Sequence, residues 1–435
     1  MIGHGARHLL KHAAKPSRLQ GPIIEAPLQH TFIGERCDIK RSIWDDQILC
    51  SAQTIGFGAN GAILSLLGDS VGLSRDCLVV PNGQGFSIEA SELLLGSVVG
   101  SDGELRERFA EARERTRART MTIDRAPPDF GEREPIDQVL VTGVRSIDAL
   151  LTCGQGQRVG IFAPAGGGKT SLLSMLIAHS EADVYIVGLV GERGREAAEF
   201  IRNGIPEHKR HATVVVCATS DRPSVERRNA ALIATTLAEY FRDQGKHVML
   251  LIDSMTRYAR ALRDVALAAG EFPATRGYPA SVFEELPKIL ERSGRTRTGC
   301  ISAFYTVLLE DEEDSDPIGD EIRSILDGHI YLSRALAGRG HFPAIDVLGS
   351  ASRVFRQVVD DDHLGAAQSL RGKLGRLEEL RLVLDLGEYR FGESTDTDRL
   401  IEQKDEIEDF LRQDMRECSL FAETQGALSE LSATD

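Results

Sequence analysis

The chain has 435 residues, 42% of them hydrophobic and 27% charged, and a formal net charge of −15. That length is too great for one small core and points to two or three domains. The acidic balance argues against a protein whose main task is gripping nucleic acid, and no window supplies the ~18 uninterrupted apolar residues of a spanning helix. Seven cysteines, at positions 37, 50, 77, 153, 217, 300 and 418, are scattered and form no C-x-x-C pair. They read as reduced thiols of a cytoplasmic protein, neither disulfides nor zinc ligands.

Residues 1–21 carry Arg7, Lys11, Lys15 and Arg18, with no acid before Glu25. They lack the apolar core of a secretory signal and read as a disordered basic tail. From 22 to 95, short apolar runs are broken by turn sequences such as Gly58-Ala59-Asn60-Gly61 and Pro81-Asn82-Gly83. That spacing predicts a small β-barrel or sandwich with a packing or assembly role. Residues 96–135 are more polar, with a charged, helix-like run from Glu104 to Arg119 and then Pro127-Pro128, and read as a linker.

The segment Arg158 to Ser171, RVGIFAPAGGGKTS, organises the central part of the chain. An apolar strand runs into a glycine-rich turn, and Lys169-Thr170 opens an apolar helical pattern. This is the P-loop order, in which glycines let backbone N–H groups close around phosphate oxygens at a helix N-terminus. Lys169 would reach the β- and γ-phosphates of a nucleoside triphosphate, and the Thr170 hydroxyl would hold Mg²⁺. Ala163 stands where the first glycine of the pattern belongs; alanine is tolerated there if φ stays negative. Continuous apolar runs at 184–190, 213–218, 247–252 and 300–308, separated by helices such as Ser224–Asp243, predict a parallel sheet covered on both faces. The acidic run 310–314 reads as a solvated loop. From about residue 361 the pattern is helical, with one break near Gly387–Gly392.

Three further residues are candidates for chemistry. Asp253 ends the strand HVMLLID, where a carboxylate beside a P-loop strand could hold Mg²⁺; the alternative is a cap for the next helix. Glu192 leaves the sheet where it could orient a water against the γ-phosphate. It could equally pair with Arg195 on the next helix, and spacing leaves these two readings open. Arg353 is either a solvated charge or, if subunits pack in a ring, an arginine finger for a neighbour's γ-phosphate.

The segments GQRVGIFAPAGGGKT, GLVGERGRE, LLIDSMTRYARA, GYPASVF, LPKILERSG and DGHIYLSRALAGRGHFPAIDVLGSASRV together resemble the catalytic subunits of the rotary F/V-type and export ATPases. Within that superfamily, ATSDRPSVERRNAALIATTLAEYFRDQGKHVML, TRYARALRDVALAAGE and DPIGDEIRSILDGHIYLSR most resemble the type III secretion (injectisome) export ATPase. The flagellar export ATPase is a less close match. The resemblance implies a multi-domain α/β chain with an N-terminal β-barrel (22–95), a central RecA-like P-loop domain with a mostly parallel sheet (136–360) and a C-terminal helical domain (361–435). It implies a homohexamer with ATP and Mg²⁺ between subunits.

By position, Ala165, Gly166, Gly167, Gly168, Lys169, Thr170 and Ser171 match the phosphate loop. Glu192 matches the catalytic glutamate, Arg193 its neighbour at the phosphates, and Thr170 and Asp253 the metal residues. Arg353 matches the finger donated in trans, and Phe342 an aromatic that packs on adenine. The implied function is ATP hydrolysis powering chaperone release, substrate unfolding and export at the cytoplasmic base of a secretion apparatus. The implied location is cytoplasmic, peripheral at the inner membrane of a bacterium. The implied partners are a central stalk, stator proteins and chaperone–effector complexes, with no nucleic acid. Flagellar export, a rotary ATPase catalytic subunit and an RNA translocase are the alternatives. Residues 93–106, LLLGSVVGSDGELR, depart from the G-R-V-x-D-G-x-G-R-P-type turn of relatives, which bears on the linker and not on the chemistry.

Overall fold

The computed structural model describes residues 12–111, 118–309, 316–392 and 394–433. The first eleven residues of the basic tail, the middle of the charged run before Arg119 and the acidic run 310–314 lie outside them.

Six antiparallel strands form the N-terminal sheet, in the order Arg18–Gln20, Ile23–Ala26, Gly61–Leu67, Ile48–Gly58, Glu35–Lys40 and Leu78–Gly85. Alternate residues point inward, so Ile24, Ala26, Cys37, Ile39, Ala52, Ala62, Leu64, Leu66 and Val79 make one small core. The two edges meet. Ala14 N–H donates to the Val79 carbonyl at 3.1 Å and Val79 N–H to the Ala14 carbonyl at 2.8 Å. Backbone pairing of this kind closes a sheet and removes its open edges. The β structure thus begins before residue 22, inside the segment whose polar composition reads as tail.

The central sheet runs in the order Ile345–Ser352, Gly328–Leu332, Arg158–Pro164, Cys300–Leu309, His247–Asp253, Val184–Val190, Thr213–Ala218, Ser97–Gly100 and Leu105–Arg108. Everything from Gly328–Leu332 to Ser97–Gly100 is parallel, and an antiparallel strand flanks each side. Strand Cys300–Leu309 lies between the P-loop strand and the strand ending in Asp253. The supposed linker is therefore partly sheet. Ser97–Gly100 is fully buried against Thr213–Ala218. Leu105–Arg108 is the exposed edge strand, despite a Leu-Arg-Glu-Arg composition that favours helix, because pairing to its neighbour overrides propensity. Arg119–Thr122 pairs with Ser87–Ala90, tying this region back to the segment before it.

A buried ion pair anchors this region to the core. Arg292 and Glu239 are both about 1% exposed, with Arg292 Nη2 2.8 Å from Glu239 Oε2. Arg292 also donates to the Ile123 carbonyl at 2.7 Å and to Thr236 Oγ1 at 2.7 Å. Removing one member strands the other without compensation, so Glu239→Ala is expected to cost about 3–5 kcal/mol of unfolding free energy, read as a lower urea midpoint.

The C-terminal end is helical, with helices Asp361–Asp385, Thr395–Glu402, Lys404–Leu411 and Phe421–Ser432. The first ends on Gly387, whose φ of 68° is left-handed. Glu388 N–H reaches the Val383 carbonyl and Gly387 N–H the Leu384 carbonyl, both at 3.0 Å, the Schellman pattern that stops a helix. Gln413 fastens these helices to the central domain. Its side chain accepts from Arg145 N–H at 2.8 Å and donates to the Gly143 carbonyl at 2.7 Å, and its N–H donates to the Phe342 carbonyl at 2.9 Å.

Candidate active site

Parallel strands bring Pro164, Val190 and Asp253 to one edge of the sheet, the carboxyl edge where ligands bind in open α/β folds. Beyond Pro164, Gly166 and Gly168 have φ values of 80° and 84°, conformations that a side chain would strain. Helix Lys169–His179 comes immediately after, and its first internal bond is Leu172 N–H to the Gly168 carbonyl at 3.0 Å. The N–H groups of Lys169, Thr170 and Ser171 are thus free of helical partners at the helix's positive end. Ala163 fits its place: it is a fully buried strand residue whose methyl joins the core, and its φ is not positive.

Three charged side chains meet in front of this loop. Lys169 Nζ lies 2.5 Å from Asp253 Oδ1 and 3.3 Å from Glu192 Oε1. Glu192 and Asp253 are 6% and 4% exposed, so both carboxylates depend on cationic partners. Thr170, Ser171, Glu192 and Asp253 line a cleft of about 480 Å³, together with Phe200 and Met415. For two residues this geometry disfavours the alternative that the sequence left open. The helix after Asp253 is capped by Ser254, whose hydroxyl accepts Arg257 N–H at 3.4 Å, so the Asp253 carboxylate is left for the cleft. Glu192 turns toward Lys169 and not toward Arg195.

Two residues without an assignment from sequence belong to the cluster. Arg257 Nη1 lies 2.5 Å from Glu192 Oε1, an ion pair whose N–H is not aligned as a hydrogen bond. Thr306 donates its hydroxyl to Asp253 Oδ1 at 2.7 Å, orienting the carboxylate. Arg257 sits one helical turn past Asp253 in the TRYARA segment, a spacing that could have flagged it. Thr306 comes from another strand and leaves no local signal.

Arg193 departs from expectation. It is the cap of helix Gly194–Glu199, with extended backbone, and its side chain is 78% exposed and pairs with Glu196 at 3.2 Å. The structure does not bring it to Lys169. Phe342 does stand at the loop: a Cβ on Gly168 would lie 3.6 Å from its ring, and 43% of the residue is exposed.

Arg353 is at the opposite edge of the sheet. Its N–H donates to the Asp327 carbonyl at 2.8 Å, and the register Val159–Gly328–Ser352 places it beside the start of the P-loop strand. That seven-residue strand spans about 20 Å at roughly 3.3 Å per residue. No arginine side chain crosses such a distance, so Arg353 is out of reach of its own chain's phosphate loop.

Residues 143–352 match the nucleotide-binding domain of the ATP synthase alpha/beta family, and residues 359–430 match the T3SS EscN ATPase C-terminal domain. The chain is 54% identical over 422 residues to the SPI-1 type 3 secretion system ATPase of Salmonella typhi, covering 97% of each. The assembled ATPase EscN of the enteropathogenic E. coli type III secretion system superposes with a TM-score of 0.89 at 42% identity, over 97% of this chain and 100% of that one. EscN in complex with its central stalk EscO gives a TM-score of 0.86 at 41% identity, again over 97% and 100%. With a P-loop cleft, converging carboxylates and a relative matched end to end, the chain belongs to the type 3 secretion system ATPases, the branch of the ATP synthase alpha/beta family that hydrolyses ATP to power protein export.

Proposed function

We propose that this chain hydrolyses ATP at sites shared between neighbouring copies in a homohexameric ring, at the cytoplasmic base of a type III secretion apparatus. One observation carries the reading: Lys169, Glu192 and Asp253 converge in one cleft, while Arg353 stands at the far edge of the same sheet. A head-to-tail contact between copies turns that far edge toward the next cleft, and heterologous contacts of this kind close into rings.

In the shared site the N–H groups from Gly166 to Ser171 cradle the phosphates. Lys169 exchanges its carboxylate partners for β- and γ-oxygens, and Phe342 packs on the base. Glu192, released from Lys169 and still steadied by Arg257, orients the attacking water. The neighbour's Arg353 stabilises charge on the transferring group. The donors available fit Mg²⁺. Thr170 and Asp253 put two hard oxygen ligands in the lining of one cleft. That is the protein's share in a site completed by phosphates and water. Thr170 and Asp253 would hold the ion, which neutralises phosphate charge when bound.

The match of residues 359–430 to the EscN C-terminal domain favours injectisome over flagellar export. By likeness to EscN bound to EscO, the ring takes a central stalk in its axis. Stator proteins that tie it to the inner membrane, and chaperone–effector complexes at the helical end, complete the partners. The test is ATPase turnover against protein concentration with the assembly mass recorded in parallel. Specific activity is expected to rise steeply as the hexamer mass appears. Constant activity per chain down to the monomer would overturn the shared site.

A further inference from the structure

The sheet edge that carries Arg353 holds more positive charge than that residue alone. Arg323, on helix Pro317–Ile325, offers its carbonyl to Arg353 Nη2 at 3.5 Å. The Arg323 guanidinium is held by Asp320 Oδ1 at 2.7 Å and by Tyr331 Oη at 3.2 Å. His329 packs edge-on against Tyr331, with ring centroids 5.4 Å apart. Burial, and then the charges of Arg323 and Arg353, hold the His329 imidazole below its ordinary pKa. Both guanidiniums thus act on one ring.

Among the described residues, Arg353 bonds to backbone carbonyls and has no carboxylate partner. Arg323 has one. Like charges gathered on one face repel one another, and an anion arriving there relieves the repulsion. Guanidinium groups suit phosphate, which accepts several charge-assisted hydrogen bonds at once. The contacts of Arg323 lie outside the cleft around Lys169. Its influence therefore falls on the edge that faces a neighbour.

We propose that Arg323 is a positioning residue for Arg353: its guanidinium ties helix Pro317–Ile325 to Tyr331, fixes the carbonyl that Arg353 meets, and adds charge to the face turned toward the next subunit's γ-phosphate. This rests on the shared-site reading above. Misplacing a catalytic group by about 1 Å can cost roughly a hundredfold. Arg323→Ala is therefore expected to lower kcat about ten- to a hundredfold, with KM for ATP unchanged. Arg323→Gln keeps a donor for Tyr331 and removes the charge. It is expected to lower kcat in the same direction, and it serves if the alanine variant does not assemble.

Co-expressing two variants in one ring separates position from stability. A ring of Arg323→Ala and Glu192→Gln contains interfaces that pair an intact Glu192 with an intact edge. Its turnover is expected to exceed that of either parent. A ring of Arg323→Ala and Arg353→Ala contains no intact edge and is expected to stay low. Wild-type kcat in both single variants, or rescue of Arg323→Ala by Arg353→Ala, overturns the assignment. Failure of Arg353→Ala and Glu192→Gln to rescue each other sinks the shared site itself, a separate result.

Discussion

Replacing Arg353 by alanine is expected to lower kcat by about 10³–10⁵-fold, the range by which arginine fingers accelerate nucleotide hydrolysis, while each chain still binds ATP. Arg353 sits about 20 Å from its own phosphate loop by the strand's rise, so it contributes nothing to binding there. Its side chain is exposed and, among the described residues, held by the Arg323 carbonyl alone. Truncation therefore leaves no buried group stranded, and the fold should keep its thermal midpoint. Mixing makes the effect diagnostic. In a random ring of Arg353→Ala and Glu192→Gln, about one quarter of the interfaces join an intact glutamate to an intact arginine across a heterologous contact. Turnover well above both parents places the two residues in different chains at one site. Turnover no better than the parents, in rings of correct mass, shows that Arg353 does not act across the interface.

Glu192→Gln is expected to reduce kcat by about 10²–10⁴-fold, the usual worth of a positioned acid or base, with ATP binding kept or tightened. The direction for binding comes from the cleft's own contacts. Lys169 must leave Glu192 and Asp253 to meet the phosphates, and a neutral amide releases it more readily than a carboxylate. Arg257 loses its ionic partner in the same change, leaving a partly buried cation that the amide oxygen still partners. Burst and steady-state rates separate the two effects. A Glu192→Gln protein with wild-type turnover would remove Glu192 from the chemistry altogether.

The strands that build the carboxyl edge were legible because burial on both faces makes them continuous apolar runs, as in Val184–Val190 and His247–Asp253. Ser97–Gly100 was not: it is four residues long and ends on glycine, and only the chain beside it shows that it is a strand. Arg18–Gln20 was hidden for a different reason. Arg18 and Gln20 face solvent, only Leu19 packs on the core, and the strand's role lies mainly in backbone bonds, which hydropathy does not record. In the site, Lys169 and Thr170 are plain from local sequence, because a P-loop is one contiguous piece. Local spacing left Asp253 and Glu192 each with two readings, and their assignment came from resemblance. Thr306 reaches Asp253 from another strand, and Arg257 had only its spacing from Asp253 to mark it. Phe342 and Arg353 rested on resemblance, since nothing local marks either. Arg193 came from the same source, and in the single chain its salt bridge to Glu196 turns it to solvent.

Gln413 ties the helical end to the backbone around the nucleotide loop. One residue touches the Gly143 carbonyl, the Arg145 amide and the carbonyl of Phe342, the aromatic at the nucleotide loop. A rigid-body swing of the C-terminal helices cannot occur without pulling on that aromatic or breaking those bonds. Gln413 is thus a joint through which any displacement of the helical end strains backbone that leads to the nucleotide loop.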